Sequence, residues 1–155
     1  MATTCRDAIK AFATNQYRNK VSEKPEEAAH VKLYGQLPPI TKMDPAALST
    51  LKECKHLALS SNNIDKIGNL AGMEKLVVLS LGRNNIKKLE NLDGLGYTKF
   101  NFAASDILLW CCSARLEQLW ISYNIISSLA GIEKLRVLKV IAITHPERVG
   151  CNFLG

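Results

Sequence analysis

Apolar and polar residues alternate in a fixed figure through the middle of this chain. Leu57, Leu59 and Asn62 of LALSSNNI return 22 positions later as Leu79, Leu81 and Asn84 of LSLGRNNI. They return again as Leu119, Ile121 and Asn124 of LWISYNII, but after 40 positions, one interval plus 18 surplus residues. Aligned on the asparagine, the first unit places Leu48, Leu51, Cys54, Leu57, Leu59, Asn62, Ile64 and Ile67 in register. The second fills those slots with Leu70, Met73, Leu76, Leu79, Leu81, Asn84, Ile86 and Leu89. The third begins with Leu92 and Leu95, breaks, and resumes with Leu116, Leu119, Ile121, Asn124, Ile126 and Leu129. A fourth opens with Ile132, Leu135, Leu138, Ile141 and Ile143, and Pro146 stands where the asparagine is due.

Each slot has a physical reading. The pair of apolar residues two apart points both side chains to one face of a short strand. The apolar residues three apart ahead of it suit a helical turn on the opposite side. The asparagine marks the corner where the chain leaves the strand, its amide able to satisfy backbone groups that the turn leaves unpaired. One such unit cannot bury its own apolar edge, so units stack. A 22-residue period of this composition predicts an α/β leucine-rich repeat solenoid, with a parallel sheet on its concave face and an N-terminal helical cap.

The cap is read from two segments. Thr4 precedes Asp7 by three, resembling a capping box with aspartate for glutamate, and Ala8, Ile9 and Phe12 follow at helical spacing. A second short helix is expected across SEKPEEAAHVKLY, with Ser22 as cap and Pro25, Glu26 and Glu27 in its first turn. Pro38 and Pro39 end that region, and Met43 to Leu51 leads into the repeats. The domain reading is therefore a helical cap and connector over 1–47, about four repeat units over 48–145 interrupted at about 97–115, and an irregular tail over 146–155. That tail offers no cap of its own, since Pro146 cannot extend a ladder.

The repeat leucines are structure. Recognition in such a fold lies on the outward strand positions, which form three columns. They read His56, Val78, Gln118, Val140, then Ala58, Ser80, Trp120, Ala142, then Ser60, Gly82, Ser122, Thr144. These columns are small, uncharged and contain no Lys or Arg, with one large aromatic. A low-charge patch around a tryptophan suits a protein contact. The candidate protein-binding residues are His56, Ala58, Val78, Ser80, Gln118, Trp120, Ser122 and Val140. Trp120 could instead lean on a neighbouring strand as packing.

Composition narrows the classes further. The 155 residues amount to one domain, 47% hydrophobic with a net charge of +6, and the lysines are scattered rather than clustered. An arginine- and aromatic-lined strip for nucleic acid is not evident. No run of about 18 apolar residues spans a membrane, and the N-terminus lacks a secretory pattern. The five cysteines include no CxxC pair, and Cys54 occupies a leucine slot as a small buried hydrophobe. A reducing compartment fits this usage. His30, His56 and His145 have no partner at metal spacing, and His56 reads as a surface contact rather than a ligand. No nucleophile motif or phosphate loop appears, so no enzyme, cofactor or metal is expected.

Several stretches are more specific than the repeat. TTCRDAIKAF, QLPPITKMDPAALSTLKECKHLALSSNNIDKI, MEKLVVLSLGRNNIKKLENLDGL and LEQLWISYNIISSLAGIEKL together resemble the axonemal dynein light chain 1 family. The resemblance covers roughly residues 3–96 and 116–138, and its most specific parts are PPI-x-KMD and LWISYN. It implies a non-enzymatic subunit in the cytoplasm and cytoskeleton, at the axoneme of the cilium or flagellum. Its partner there is an outer-arm dynein heavy chain near the microtubule-binding region, and its role is to adjust motility. A direct tubulin or microtubule contact stays open, and no nucleic acid or membrane partner is implied. Carried onto this sequence, the contact face is Ala58, Val78, Ser80, Gln118, Trp120 and Ser122. Another scaffold of the same 22-residue repeat class, phosphatase-regulatory or ribonucleoprotein, is the alternative, as is a non-functional truncated isoform.

The chain departs from that family in two places. Where the family has two or three residues, this sequence carries YTKFNFAASDILLWCCSAR between Gly96 and Leu116. About two further repeats and a C-terminal helical cap give way to THPERVGCNFLG. The inserted run is either a loop bulging from the stack or a splicing or gene-model intrusion. Exposing ILLWCC on a loop costs solubility, which favours the second reading.

Overall fold

The structure is a computed structural model that describes residues 2–15, 24–92, 95, 116–135 and 137–143. Helix α1 spans Cys5–Asn15, followed by strand β1 (His30–Lys32), helix α2 (Pro45–Leu48), and strands β2 (His56–Ala58), β3 (Val78–Ser80), β4 (Gln118–Trp120) and β5 (Val140–Ala142). The five strands form one parallel sheet in chain order, each pairing with the next. Leu57, Leu79, Leu119 and Ile141 stand opposite one another across it, so the repeat alignment and the strand register coincide.

Thr4 caps α1, the N-cap half of the expected capping box, and Asp7 turns its carboxylate to the Thr4 hydroxyl. The Asp7 amide donates to Thr4 Oγ1 at 3.1 Å, and the Thr4 hydroxyl donates to Asp7 Oδ2 at 2.6 Å. Ala8 and Ile9 are buried from α1, and Phe12 packs against the core. Helix α2 is capped by Asp44, which accepts from the Ala46 amide, with Pro45 at a position where its missing N–H costs nothing.

Among the described residues the second helix expected across SEKPEEAAHVKLY does not form. Pro25 to Glu27 form a turn, and His30–Lys32 extend as β1, the first strand of the sheet. Val31 pairs with Leu57, and Val31 and Leu33 are fully buried while His30 and Lys32 are exposed. That period-two alternation outweighs the helix-start signals ahead of it. The segment read as cap and connector thus supplies a strand with the same in-out pattern as the repeats.

The apolar residues spaced by three form successive turns rather than helices. Met73 donates its amide to Leu70 O and Leu76 to Met73 O, and the same i to i+3 bonds join Leu48, Leu51 and Cys54. A short 3-10 helix, Ile132–Lys134, plays this part in the fourth unit, with Leu135 bonding Ile132 and Leu138 bonding Leu135. Three residues per turn keeps each apolar side chain aimed inward from a path that is nearly flat. Cys54 is buried in its leucine slot, and burial raises its thiol to about 11.

The asparagines close each corner into the next unit. Asn84 Nδ2 donates to Leu59 O at 3.1 Å and Leu81 O at 2.9 Å, while its Oδ1 accepts from the Ile64 amide at 3.0 Å. Asn124 repeats this one unit on, donating to Leu81 O and Ile121 O and accepting from the Ile86 amide. Asn62 does so one unit earlier, reaching Leu33 O, Leu59 O and the Ile40 amide. Asn84 and Asn124 are the buried polar side chains among the described residues.

The inward slots hold through Ile121. Beyond it the packing thins: Leu129 is 47% exposed, and Ile126, Ile132, Leu138 and Ile143 are only partly buried. The run expected to interrupt the repeat at about 97–115, Pro146 and the tail all lie outside the described residues.

Candidate interaction surface

The strands are three residues long and alternate outward, inward, outward, which fixes what the sheet presents. His56, Val78, Gln118 and Val140 stand side by side in one row, and Ala58, Ser80, Trp120 and Ala142 in the next. Ser122 lies just past β4, its hydroxyl donating to Ala142 O at 3.2 Å. All eight residues expected from the sequence therefore fall on one face.

Trp120 dominates that face. It is 44% exposed, with Ser80 on one side and Ala142 on the other. Its indole Nε1 donates to Gln118 Oε1 at 3.4 Å on the same strand. A large ring flanked by short side chains, it leaves nearly half of its surface open to solvent. Just off the strand, Arg83 lies 5.4 Å from the ring centroid of exposed Tyr123.

Strand β1 corrects the expectation that the columns carry no cation. Lys32 stands beside Ala58 and His30 beside His56. The two imidazoles meet edge to face with centroids 5.8 Å apart, and Ser80 Oγ lies 3.4 Å from His56 Nε2. His56 is held below its ordinary value first by partial burial, then by His30 and Lys32. The face is thus graded, with Lys32 and a pair of imidazoles at β1 and β2 and an aromatic among mostly apolar residues at β4 and β5. The signal for this was the HVKL alternation.

Among the described residues no cluster of three or more His, Cys, Asp or Glu could hold a metal ion. A groove of about 470 Å³ lies off the sheet, lined by Met43, Asp65, Lys66, Glu90 and Asn91 among others. Its lining is mostly polar and charged and includes no histidine, cysteine or serine. No helix of the described residues is long and apolar enough to cross a membrane.

The parallel sheet, the successive turns and the asparagine ladder define a leucine-rich repeat protein, and the Leucine Rich repeats (2 copies) family model matches residues 52–94. Within that class its named relatives are axonemal dynein light chains. The chain is 51% identical over 121 residues to dynein axonemal light chain 1 of Chlamydomonas reinhardtii, covering 78% of this chain and 50% of that protein. It is 49% identical over 79 residues to the Bos taurus protein of the same name, covering 51% and 38%, and 54% over 68 residues to that of Ciona intestinalis, covering 44% and 35%. The chain thus spans half the length, or less, of these relatives. Among solved structures, internalin C2 of Listeria monocytogenes aligns with a TM-score of 0.48 at 25% identity, covering 70% of this chain and 42% of that one.

Proposed function

We propose that this chain is a non-enzymatic, dynein-associated subunit of the axoneme in cilia and flagella. Its concave face seats an outer-arm dynein heavy chain near the microtubule-binding region and so adjusts motility. The residues that make the contact are His56, Ala58, Val78, Ser80, Gln118, Trp120, Ser122 and Val140. One observation carries this reading: Trp120 stands exposed on an otherwise small-residue sheet face, in a chain whose relatives bear the dynein light chain name. An exposed tryptophan amid short side chains offers a large apolar area at little entropic cost, the usual make-up of a binding hot spot.

Trp120→Ala tests it directly. Trp120 lies outside the buried core, so circular dichroism should stay as it is and the melting temperature should change little. Affinity for heavy chain from ciliary extract should fall by about 2 kcal/mol or more, roughly thirtyfold in Kd. Unchanged affinity with an unchanged fold places the contact elsewhere. Recovery of a phosphatase or a ribonucleoprotein without heavy chain would replace the dynein reading with a different scaffold role.

A further inference from the structure

The cationic end of the sheet face has no counter-charge. Among the described residues, ion pairs join Lys24 to Glu27, Lys75 to Glu53 and Lys139 to Glu117, and none reaches Lys32. The groups facing His56 are all basic or neutral. From β1 come His30 and Lys32, and from β3 come Val78 and the Ser80 hydroxyl. Such an arrangement works against itself in the free protein, since each positive charge disfavours the next. An anion laid across it would meet an ammonium, two imidazoles and a hydroxyl at once.

We infer that His30, Lys32, His56 and Ser80 form a carboxylate subsite at the N-terminal end of the concave face, which receives an acidic side chain of the bound protein segment. This rests on the reading of that face as the contact surface, and it adds a polarity. The partner's acidic residue lies over β1 and β2, while its apolar residues lie over Trp120, Val140 and Ala142. The spacing between strands, about 4.8 Å, carries the bound segment across the sheet from the charged end to the aromatic one.

The subsite is also linked to protons. Partial burial and the neighbouring cations hold His56 below its ordinary value, so near neutral pH the ring is uncharged. A carboxylate placed beside it favours the imidazolium. Binding therefore takes up a proton and strengthens as pH falls, then levels off once the free imidazole is itself charged.

Tetraglutamate is a suitable probe, with tetraglutamine as its neutral twin, followed by nuclear magnetic resonance on the full chain. Tetraglutamate should shift the signals of His30, Lys32 and His56, and bind about threefold or more tighter at pH 5.5 than at pH 8.0. Lys32→Gln should weaken that binding severalfold, His56→Gln should reduce its pH dependence, and His30→Gln with His56→Gln together should flatten it. Tetraglutamine should do neither. Shifts centred on other lysines, or binding indifferent to Lys32→Gln and to pH, would overturn the subsite. Because the probe needs no heavy chain, its failure is separable from failure of the dynein reading, which Trp120→Ala reports.

Discussion

Asn84→Ala isolates what the corner asparagine does. Three close bonds end on this side chain, besides a longer one at 3.4 Å from Nδ2 to Gly82 O: the Ile64 amide donates to Oδ1, and Nδ2 donates to Leu59 O and Leu81 O. Truncation does not strand all three partners. Leu59 O still accepts from Asn62, and Leu81 O still accepts from Asn124, because each strand-end carbonyl is shared by asparagines of successive units. The Ile64 N–H has no such reserve, and Ile64 lies fully buried. An orphaned buried donor costs about 1–3 kcal/mol, and each lost but replaceable bond about 0.5–1.5.

The expected destabilisation is therefore about 3 kcal/mol. For a chain of this size it lowers the melting temperature by about 6–12 °C. Urea unfolding followed by circular dichroism gives the free energy, and amide hydrogen exchange locates it, with loss of protection concentrated at Ile64. Asn63→Ala is the control, since that exposed side chain bonds only the Asn85 side chain, and it should cost less than about 0.5 kcal/mol. If the two substitutions cost the same, or if Ile64 keeps its protection in Asn84→Ala, the ladder is not what closes the corner.

Two further outcomes test the packing. Gly131 has φ +104° and would place a Cβ 2.3 Å from Leu89 O, so Gly131→Ala should destabilise by at least about 2 kcal/mol in the same urea assay. Cys54, buried and raised to about 11, should resist thiol reagents at pH 8 until the chain unfolds. Its sign in stability follows from the upward shift: the fold excludes the thiolate, so stability at this site is intact below pH 9, the ordinary value, and is lost as pH rises toward 11. Cys54→Ala should remove that alkaline loss while lowering stability at pH 7 through the space it leaves.

The repeat period was legible because each slot is over-determined by geometry. A strand one residue out of phase would turn Leu57 and Leu79 to solvent, so the pattern admits one register. β1 escaped that reading for a specific reason. Val31 and Leu33 precede their counterparts Leu57 and Leu59 by 26 positions, not 22, and Gln36 stands where the asparagine is due. Gln36 reaches only Tyr34 O, whereas Asn62 spans two units. Meanwhile Ser22, Pro25 and two glutamates supply helix-start signals whose local preference is outweighed by pairing with β2. Local propensity lost to a tertiary partner invisible at the 22-residue offset. Missing that strand also hid Lys32, and with it the charged end of the face. The loosening beyond Ile121 was equally unreadable, since Leu129 occupies the same sequence slot as buried Leu89 and differs only in what surrounds it.

The two sides of the sheet answer to different constraints, and this lets the concave face vary without endangering the fold. Inward residues carry the apolar burial, and the asparagines satisfy the corner through backbone amides and carbonyls, without calling on an outward side chain. The backbone of the outward positions is set by strand pairing. They can therefore be as unlike as lysine, alanine, serine and tryptophan along one row, Lys32, Ala58, Ser80, Trp120 and Ala142. A row so irregular within a scaffold so regular is not a packing solution, because packing would favour the same residue in each unit, as it does for Leu57, Leu79 and Leu119. Its gradient from charge to aromatic is what the proposed contact, a segment laid across all five strands, would read, with the ladder beneath keeping those strands in register.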